Sequence, residues 1–210
     1  MVGRKSENGP RLAALLLAAG AGRRFGGPKQ LAELHGEPLL LRALSQANAV
    51  AGAGTWVVLG ARAAELAPLL AARDARVLVN PAWTEGIGAS IRHGVAELGG
   101  QADAVLILLA DQPAVGSDDL QRLVAAWRAA PERPAAAGLA GRPVVPAIFP
   151  ASWFPALSRL RGDRGARGLL REAQALSLVP MPAAGVDIDR PEDLKKIVDS
   201  APLSGGESQA

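Results

Sequence analysis

A short segment of the chain, LLLAAGAGRRFGGPKQL at residues 15–31, combines glycines with cations. It carries Gly20, Gly22, Arg23, Arg24 and Lys29 within ten residues. The backbone amides of such a loop, together with cationic side chains, can surround a triphosphate from several sides. Lys29 is one of four lysines, and the other three lie near the termini. A compact ammonium reaches crowded phosphates in ways that a planar guanidinium does not. The segment predicts a phosphate-binding loop, and the alternative is a solvated surface loop.

Two familiar kinds of phosphate loop fit this segment less well. A P-loop requires a hydroxyl residue directly after its lysine, whereas Lys29 is followed by Gln30. A dinucleotide loop could use the spacing GxGxxxG of Gly20, Gly22 and Gly26, but it would open directly into a helix. The Gly-Gly-Pro sequence that follows disfavours such a helix. A dinucleotide-binding oxidoreductase is therefore a less favoured alternative.

Carboxylates suited to a metal ion occur in two later segments. Asp111 ends the apolar run of LLADQP, where a charge requires a partner. Asp187 and Asp189 in VDIDRP point to the same side of an extended segment, and either can face Asp111 if that segment returns to the sheet. Magnesium takes a few carboxylates and completes its shell with phosphate oxygens and water. We expect a Mg²⁺ site here, and the alternative for each aspartate is the cap of a turn or helix.

A third segment, NPAWTEGIGASIRHG, has the composition of a loop that reads a nucleobase. Gly86 and Gly88 permit a tight backbone, and Ser90 stands where it could cap the helix that follows. The amides and the hydroxyl of such a loop suit a base edge, although a helix cap alone would also explain Ser90. We predict nucleotide contacts from Asn80, Gly86 and Ser90, and from Ala18 and Ala19 before the first loop.

The elements that would position these residues alternate between strand and helix. Continuous apolar runs predict strands near residues 12–19, 55–60, 75–80 and 104–111, with helices near 38–50, 62–73, 90–98 and 117–130. This alternation predicts an α/β fold with a doubly wound, mostly parallel sheet, in which ligands bind beyond the carboxyl ends of the strands. A Pro-, Ala- and Gly-rich texture predicts a small irregular β/α insertion near residues 131–175.

Bulk composition limits the remaining possibilities. The 210 residues are 49% hydrophobic, enough for a single domain, which we place at residues 11–200 between polar tails at 1–10 and 201–210. Cysteine is absent, so disulfides and thiolate metal sites are excluded. The arginines are dispersed and tyrosine is absent, which argues against nucleic acid as a partner. No apolar run is long enough for a membrane span, and the first residues lack the apolar core of a signal peptide, so we expect a cytoplasmic protein.

Five ordered motifs across about residues 12–199 make the chain similar to the MobA-like NTP transferases. They are LAAGAGRRFGGPKQL, NPAWTEGIGASIRHG, LLADQP, GDRGAR and VDIDRPEDL. The resemblance is strongest to the molybdenum cofactor cytidylyltransferase branch, whose members acting on CTP tend to carry LAAG. It implies a single Rossmann-like nucleotidyltransferase domain.

The resemblance also implies roles for individual residues. Arg24 and Lys29 would hold the triphosphate, Asp111 and Asp189 would hold magnesium, and Ser90 would lie at the base. Asp163 and Arg167 of GDRGAR would lie near the second substrate.

The activity that follows from the resemblance is transfer of CMP from CTP to molybdopterin, with release of pyrophosphate. A molybdoenzyme or its chaperone would be the partner that receives the product. Three alternatives stay open: another phosphorylated acceptor such as a sugar phosphate, GTP as the donor, or an NADP-binding oxidoreductase. A protein that binds nucleotide without turnover, acting as a partner of a molybdoenzyme, is a fourth.

Overall fold

A computed structural model describes residues 9–200, with side chains to residue 197. The tails predicted at 1–10 and 201–210 lie outside this part, apart from Gly9 and Pro10. The strands are β1 (Leu12–Ala18), β2 (Glu33–Leu34), β3 (Glu37–Pro38), β4 (Thr55–Leu59), β5 (Arg76–Val79), β6 (Ala104–Leu109), β7 (Ala135–Leu139), β8 (Arg142–Pro150) and β9 (Ser177–Pro180). The helices are α1 (Leu39–Ala51), α2 (Ala63–Leu70), α3 (Ile87–Leu98), α4 (Ser117–Ala129), α5 (Phe154–Leu157), α6 (Ala166–Glu172) and α7 (Pro191–Ser200).

Seven of the strands form one sheet in the order β5-β4-β1-β6-β8-β7-β9, while β2 and β3 pair separately. Strand β1 lies between β4 and β6 and is parallel to both. Its sequence LAALLLA is apolar at every position because both faces of the strand are covered. Leu15 and Leu16 are fully buried, and burial of each side chain is worth about 1.5–3 kcal/mol.

Helices cover the sheet on both faces. On one face, α1, α2 and α4 pack against alternate residues of β1, β4 and β6. On the other face, α3, α5 and α6 pack against the remaining residues of the same strands. The carboxyl ends of β1 and β6 therefore meet at one edge of a sheet that is covered on both sides. The predicted doubly wound α/β fold is confirmed.

The Pro- and Ala-rich segment contributes to the main sheet. Strand β8 is antiparallel to β6, β7 is antiparallel to β8, and β9 is parallel to β7. Ala135, Ala136 and Ala137 are fully buried, and the register shifts between the last two. Small side chains and a bulge explain why the sequence looks irregular here although its strands extend the sheet.

One predicted boundary is wrong in a way that matters for the site. Helix α3 begins at Ile87, after Gly86 with φ of 108°, so Ser90 lies in the first turns of the helix and does not cap it. The segment around Asp187 and Asp189 belongs to no strand. It still returns to the sheet, because the amide of Ile188 donates to the carbonyl of Asp111 at 2.9 Å. Within residues 9–200, no helix is both long enough and apolar enough to cross a membrane.

Candidate active site

A cavity of about 400 Å³ opens at the carboxyl ends of β1 and β6. This is the edge where open parallel sheets bind their ligands. Nine of the residues predicted from the sequence line it: Ala18, Ala19, Gly20, Arg23, Lys29, Gly86, Ser90, Asp111 and Asp163. The predicted residues that do not line it are Gly22, Arg24, Asn80, Arg167 and Asp189.

The loop after β1 is a tight glycine turn and not the start of a helix. The amides of Phe25 and Gly27 donate to the carbonyl of Gly22 at 3.0 and 3.4 Å. Gly22 has φ of +64°, and a Cβ there would lie 1.9 Å from the carbonyl oxygen of Gly27. Glycine is therefore required at this position for two reasons. Only a short 3₁₀ turn follows, at Lys29–Leu31.

Gln30, which was not among the predicted site residues, supports this loop through its side chain. Its amide nitrogen donates to the carbonyls of Ala18 at 3.1 Å and Gly20 at 2.9 Å. The side chain is buried, and its Oε1 has no hydrogen-bond partner within the described residues. Gln30 thus fixes the backbone on both sides of Ala19. No sequence pattern marks this role, because a glutamine after a cationic loop is equally typical of an exposed turn.

Lys29 lies between two carboxylates that come from distant segments. Its ammonium donates to Oδ2 of Asp111 in a very short contact and to the carbonyl of Ile188 at 3.0 Å. Oδ1 of Asp189 lies 3.7 Å from the same nitrogen. The side chains of Lys29 and Asp111 are about four-fifths buried, with 17% and 21% exposure. Low exposure strengthens these electrostatic contacts relative to a surface pair.

Arg24 joins the same group from the solvent side. Its guanidinium donates to Oδ2 of Asp189 at 2.7 Å. The two side chains are 73% and 50% exposed, so the pair contributes little to stability. Arg24 is outside the cavity lining but is linked to Lys29 through one shared carboxylate. Two cations therefore flank Asp189.

Asp187 is a third carboxylate at this place. Desolvation by the surrounding protein raises its pKa, even though the residue keeps exposed surface, and the charges of Asp111 and Asp189 raise it further. The nearby side-chain amide of Gln112 and the charge of Lys29 oppose this shift. The charges of Asp111 and Asp189 therefore both act on the Asp187 carboxyl group.

These oxygens fit a divalent cation. Oδ1 of Asp111 is buried and has no partner among the described residues, so it can serve as a ligand. Asp111 and Asp189 already share one cation, the ammonium of Lys29. Among residues 9–197, no group of three or more His, Asp and Glu side chains is arranged as a complete metal site. Magnesium fits such a partial site because it accepts phosphate oxygens and water in its remaining positions.

The segment before α3 also contributes to the cavity wall. Asn80 is buried and does not line the cavity. Its Nδ2 donates to Oγ of Ser90 at 3.2 Å, and its Oδ1 accepts from the amide of Ala82 at 3.0 Å. Asn80 therefore orients Ser90, which does line the cavity. The structure thus shows a positioning contact for Asn80, and its predicted contact with the nucleotide stays a prediction.

Glycines allow the loop GDRGAR to approach the start of α3. A Cβ at Gly86 would lie 2.6 Å from Oδ1 of Asp163, and the amide of Gly88 donates to the carbonyl of Gly162 at 3.0 Å. This contact brings Asp163 to the cavity wall. Arg167 is exposed on α6 and lies outside the lining.

Comparison with known proteins defines the class. The MobA-like NTP transferase domain matches residues 14–177. The chain belongs to this family of nucleotidyltransferases, in agreement with the resemblance of its motifs.

Individual relatives differ in what their names state. The chain is 32% identical over 200 residues to nicotine blue oxidoreductase of Paenarthrobacter nicotinovorans, covering 90% of this chain and 97% of that protein. It is 35% identical over 198 residues to the purine catabolism protein PucB of Bacillus subtilis, covering 88% and 94%. The crystal structure of Rv0371c from Mycobacterium tuberculosis has a TM-score of 0.79 at 24% identity, covering 92% of this chain and all of that one. A second structure of Rv0371c is a complex with manganese.

Proposed function

We propose that the protein is a magnesium-dependent cytidylyltransferase. It transfers CMP from CTP to a phosphorylated acceptor, molybdopterin, and releases pyrophosphate. The observation that carries this proposal is the convergence of Lys29, Asp111 and Asp189 at the carboxyl edge of the sheet. A cation held between two carboxylates, beside a glycine loop, suits a polyphosphate and its metal.

The reaction is a single displacement at phosphorus. A phosphate oxygen of the acceptor attacks the α-phosphorus of CTP in line, a new P–O bond forms, and the bond to the β-phosphate oxygen breaks. Both electrons of that bond leave with pyrophosphate. The protein positions the reactants and stabilises charge, since such transfers need little covalent chemistry from it.

The cations of the loop act on the leaving group. Lys29 and Arg23 line the cavity, and Arg24 is linked to Lys29 through the shared carboxylate of Asp189. Binding of the triphosphate would draw Lys29 away from Asp111 toward phosphate oxygens. Asp111 and Asp189 would then hold magnesium, which supplies charge neutralisation to the phosphates when bound.

No protein base is needed, because a phosphate monoester is already anionic near neutral pH. Consistent with this, neither histidine lines the cavity. His35 is exposed in a turn with φ of 54°, and His93 lies on α3. Asp163 and Arg167 remain proposed contacts of the acceptor, with Asp163 at the cavity wall and Arg167 on the adjacent helix.

The choice of CTP over GTP follows the LAAG sequence at Leu17–Gly20, where the family carries LAGG for guanylyl transfer. A sugar phosphate in place of molybdopterin would use the same cavity and metal. A molybdoenzyme or its chaperone is the proposed recipient of the product.

An NADP-dependent oxidoreductase is the second candidate, and one relative's name favours it. The glycine turn argues against this candidate. No helix begins directly at Gly22, so the turn offers no helix N-terminus to a pyrophosphate. The Lys29–Asp111 pair would also be left without a role.

Thermal unfolding with CTP, GTP, ATP and NADPH, each with and without Mg²⁺, separates these candidates. A ligand at 100 times its Kd stabilises the folded state by about 2.7 kcal/mol. We expect the largest, magnesium-dependent shift with CTP. Asp111→Asn should abolish that shift, whereas the matched surface variant Asp74→Asn should keep it. A shift with NADPH alone, indifferent to Mg²⁺, would favour the oxidoreductase.

A further inference from the structure

The cavity lining contains two chemically different groups of residues. Lys29, Arg23 and Asp111 are charged, whereas Trp83, Ile87 and Ser90 carry no charge. A nucleotide whose polyphosphate contacts the charged group would leave its base to the uncharged group. Trp83 is the aromatic residue among the lining residues, in a chain with only seven aromatics.

The position of Trp83 is fixed by its backbone. The amide of Gly86 donates to the carbonyl of Trp83 at 3.1 Å, closing a short 3₁₀ turn at Trp83–Glu85. A Cβ at Gly60 would lie 2.6 Å from Cβ of Trp83 and 2.6 Å from the carbonyl oxygen of Ala19. Glycine at position 60 therefore lets Trp83 approach the end of β1 closely. The amide of Ala61 also donates to the carbonyl of Ala19 at 3.1 Å.

The indole is held on its other side by the core. Trp83 is partly buried and packs against the apolar cluster on the α3 face of the sheet. It cannot swing away without losing this packing. This packing therefore holds the indole in the cavity lining.

Space in the cavity is limited. The whole cavity measures about 400 Å³, near the lower limit of the roughly 300–1,000 Å³ typical of ligand pockets. Triphosphate, ribose and base must share this volume. Trp83 is the largest side chain in the lining, so it takes up space that a two-ring base would need.

We infer that Trp83 determines base selectivity by contacting a single-ring base and excluding purines. This inference rests on the proposed function, because it assumes that a nucleoside triphosphate occupies the cavity. It adds a residue that selects the base through size and aromatic contact, whereas the backbone near Ala19 and the Ser90 hydroxyl contact its edge.

Two variants and one control test the inference by direct binding. Dissociation constants for CTP and GTP with Mg²⁺ are measured by calorimetry for wild type, Trp83→Ala and Trp83→Phe, together with intrinsic tryptophan fluorescence. Trp153→Phe is the control, since Trp153 is also partly buried but packs on Phe149, with ring centroids 5.9 Å apart, outside the cavity lining.

In wild type and in Trp153→Phe, CTP should bind more tightly than GTP and quench the fluorescence. Trp83→Ala should shift the GTP-to-CTP affinity ratio toward GTP by about 10- to 100-fold, the range expected for removing steric discrimination from a pocket. Trp83→Phe should keep the preference and lose the quenching.

The outcomes are distinguishable. An unchanged ratio in a Trp83→Ala protein that still binds CTP overturns the role of Trp83 and leaves the proposed function standing. Tighter binding of GTP than CTP by wild type also overturns it, while leaving nucleotidyl transfer intact. Binding of NADPH but of no triphosphate overturns both. If Trp83→Ala does not fold, loss of quenching in Trp83→Phe supports the inference, and full quenching in that variant overturns it.

Discussion

Lys29 and Asp111 are 82 positions apart in the chain, yet the ammonium of one contacts the carboxylate of the other at the edge of the sheet. The contact exists because the loop after β1 and the end of β6 belong to adjacent parallel strands. The second oxygen of Asp111 is left buried and unpartnered within the described residues. The pair thus keeps the ammonium of Lys29 and the carboxylate of Asp111 in contact. In the proposed complex the ammonium would bind phosphate and the carboxylate would bind the metal, so the two would separate.

Replacement of Lys29 tests the cation of this pair. Lys29→Ala should lower kcat/KM for CTP by about 10²–10³-fold, because it removes a preorganised charge at the leaving group. Steady-state pyrophosphate release measures the effect. The control is Lys195→Ala on the exposed surface of α7, which should retain wild-type rates. Equal rates in both variants would exclude Lys29 from the reaction.

Arg24 should affect catalysis without affecting folding. Because Arg24 and Asp189 are largely exposed, Arg24→Ala should change the free energy of unfolding by less than about 0.5 kcal/mol. Its kcat/KM for CTP should nevertheless fall at least tenfold if the guanidinium moves to the phosphates. Urea unfolding and initial rates give the two values, and unchanged rates would leave Arg24 as a surface residue.

Gln30 should be important for stability. Gln30→Leu leaves the carbonyls of Ala18 and Gly20 without their buried donor, and each such loss costs about 1–3 kcal/mol. The midpoint of chemical denaturation should fall accordingly. Gln121→Leu, at an exposed position on α4, is the comparison and should change stability little. A Gln30 variant as stable as this control would show that the two carbonyls find other donors.

Gly22 should tolerate no side chain. In Gly22→Ala the new Cβ would meet the Gly27 carbonyl at 1.9 Å, at a positive φ, so the loop must rearrange. We expect weaker CTP binding and a lower Tm. Gly27→Ala in the same loop meets no atom within 4 Å and should keep the wild-type Tm. Normal CTP affinity in Gly22→Ala would mean that the turn does not shape the phosphate site.

The Arg11–Asp103 pair should make stability depend on pH. The hydrogen bond from the Arg11 side chain, followed by that from its amide, lowers the pKa of Asp103 below its usual value. A lowered pKa adds stability above the unfolded-state value of about 3.9, and this gain disappears as pH falls through the folded-state pKa. Asp103→Asn should therefore lower Tm slightly, by about 1–3 °C at pH 7, and the difference should shrink as pH falls from about 3.9 toward the folded-state pKa. A constant difference across this range would contradict the assignment.

The sequence predicts the parallel half of the fold well, because β1 and β6 are continuous apolar runs between clear loops. It also singles out Lys29 and Asp111, since a lysine in a glycine loop and an aspartate after a buried strand are unusual, and the structure places these two side chains in contact. The supporting contacts are less visible. Gln30 and Asn80 act through backbone carbonyls and a neighbouring hydroxyl, and such partners depend on tertiary structure. The helix cap, the alternative interpretation of Ser90, fails because Gly88, in a stretch whose glycines resemble a loop, is already helical and packed against residues 161–164.

Transfer of label from CTP tests the central claim most directly. CTP labelled at the α-phosphate is incubated with the protein, Mg²⁺ and molybdopterin, and both labelled product and pyrophosphate are measured. We expect label to appear in the acceptor in equal amount to pyrophosphate, and both to be lost in Asp111→Asn but not in Asp74→Asn. Absence of label in any phosphorylated acceptor, from a protein that is folded and binds CTP with magnesium, would contradict the assignment as a cytidylyltransferase.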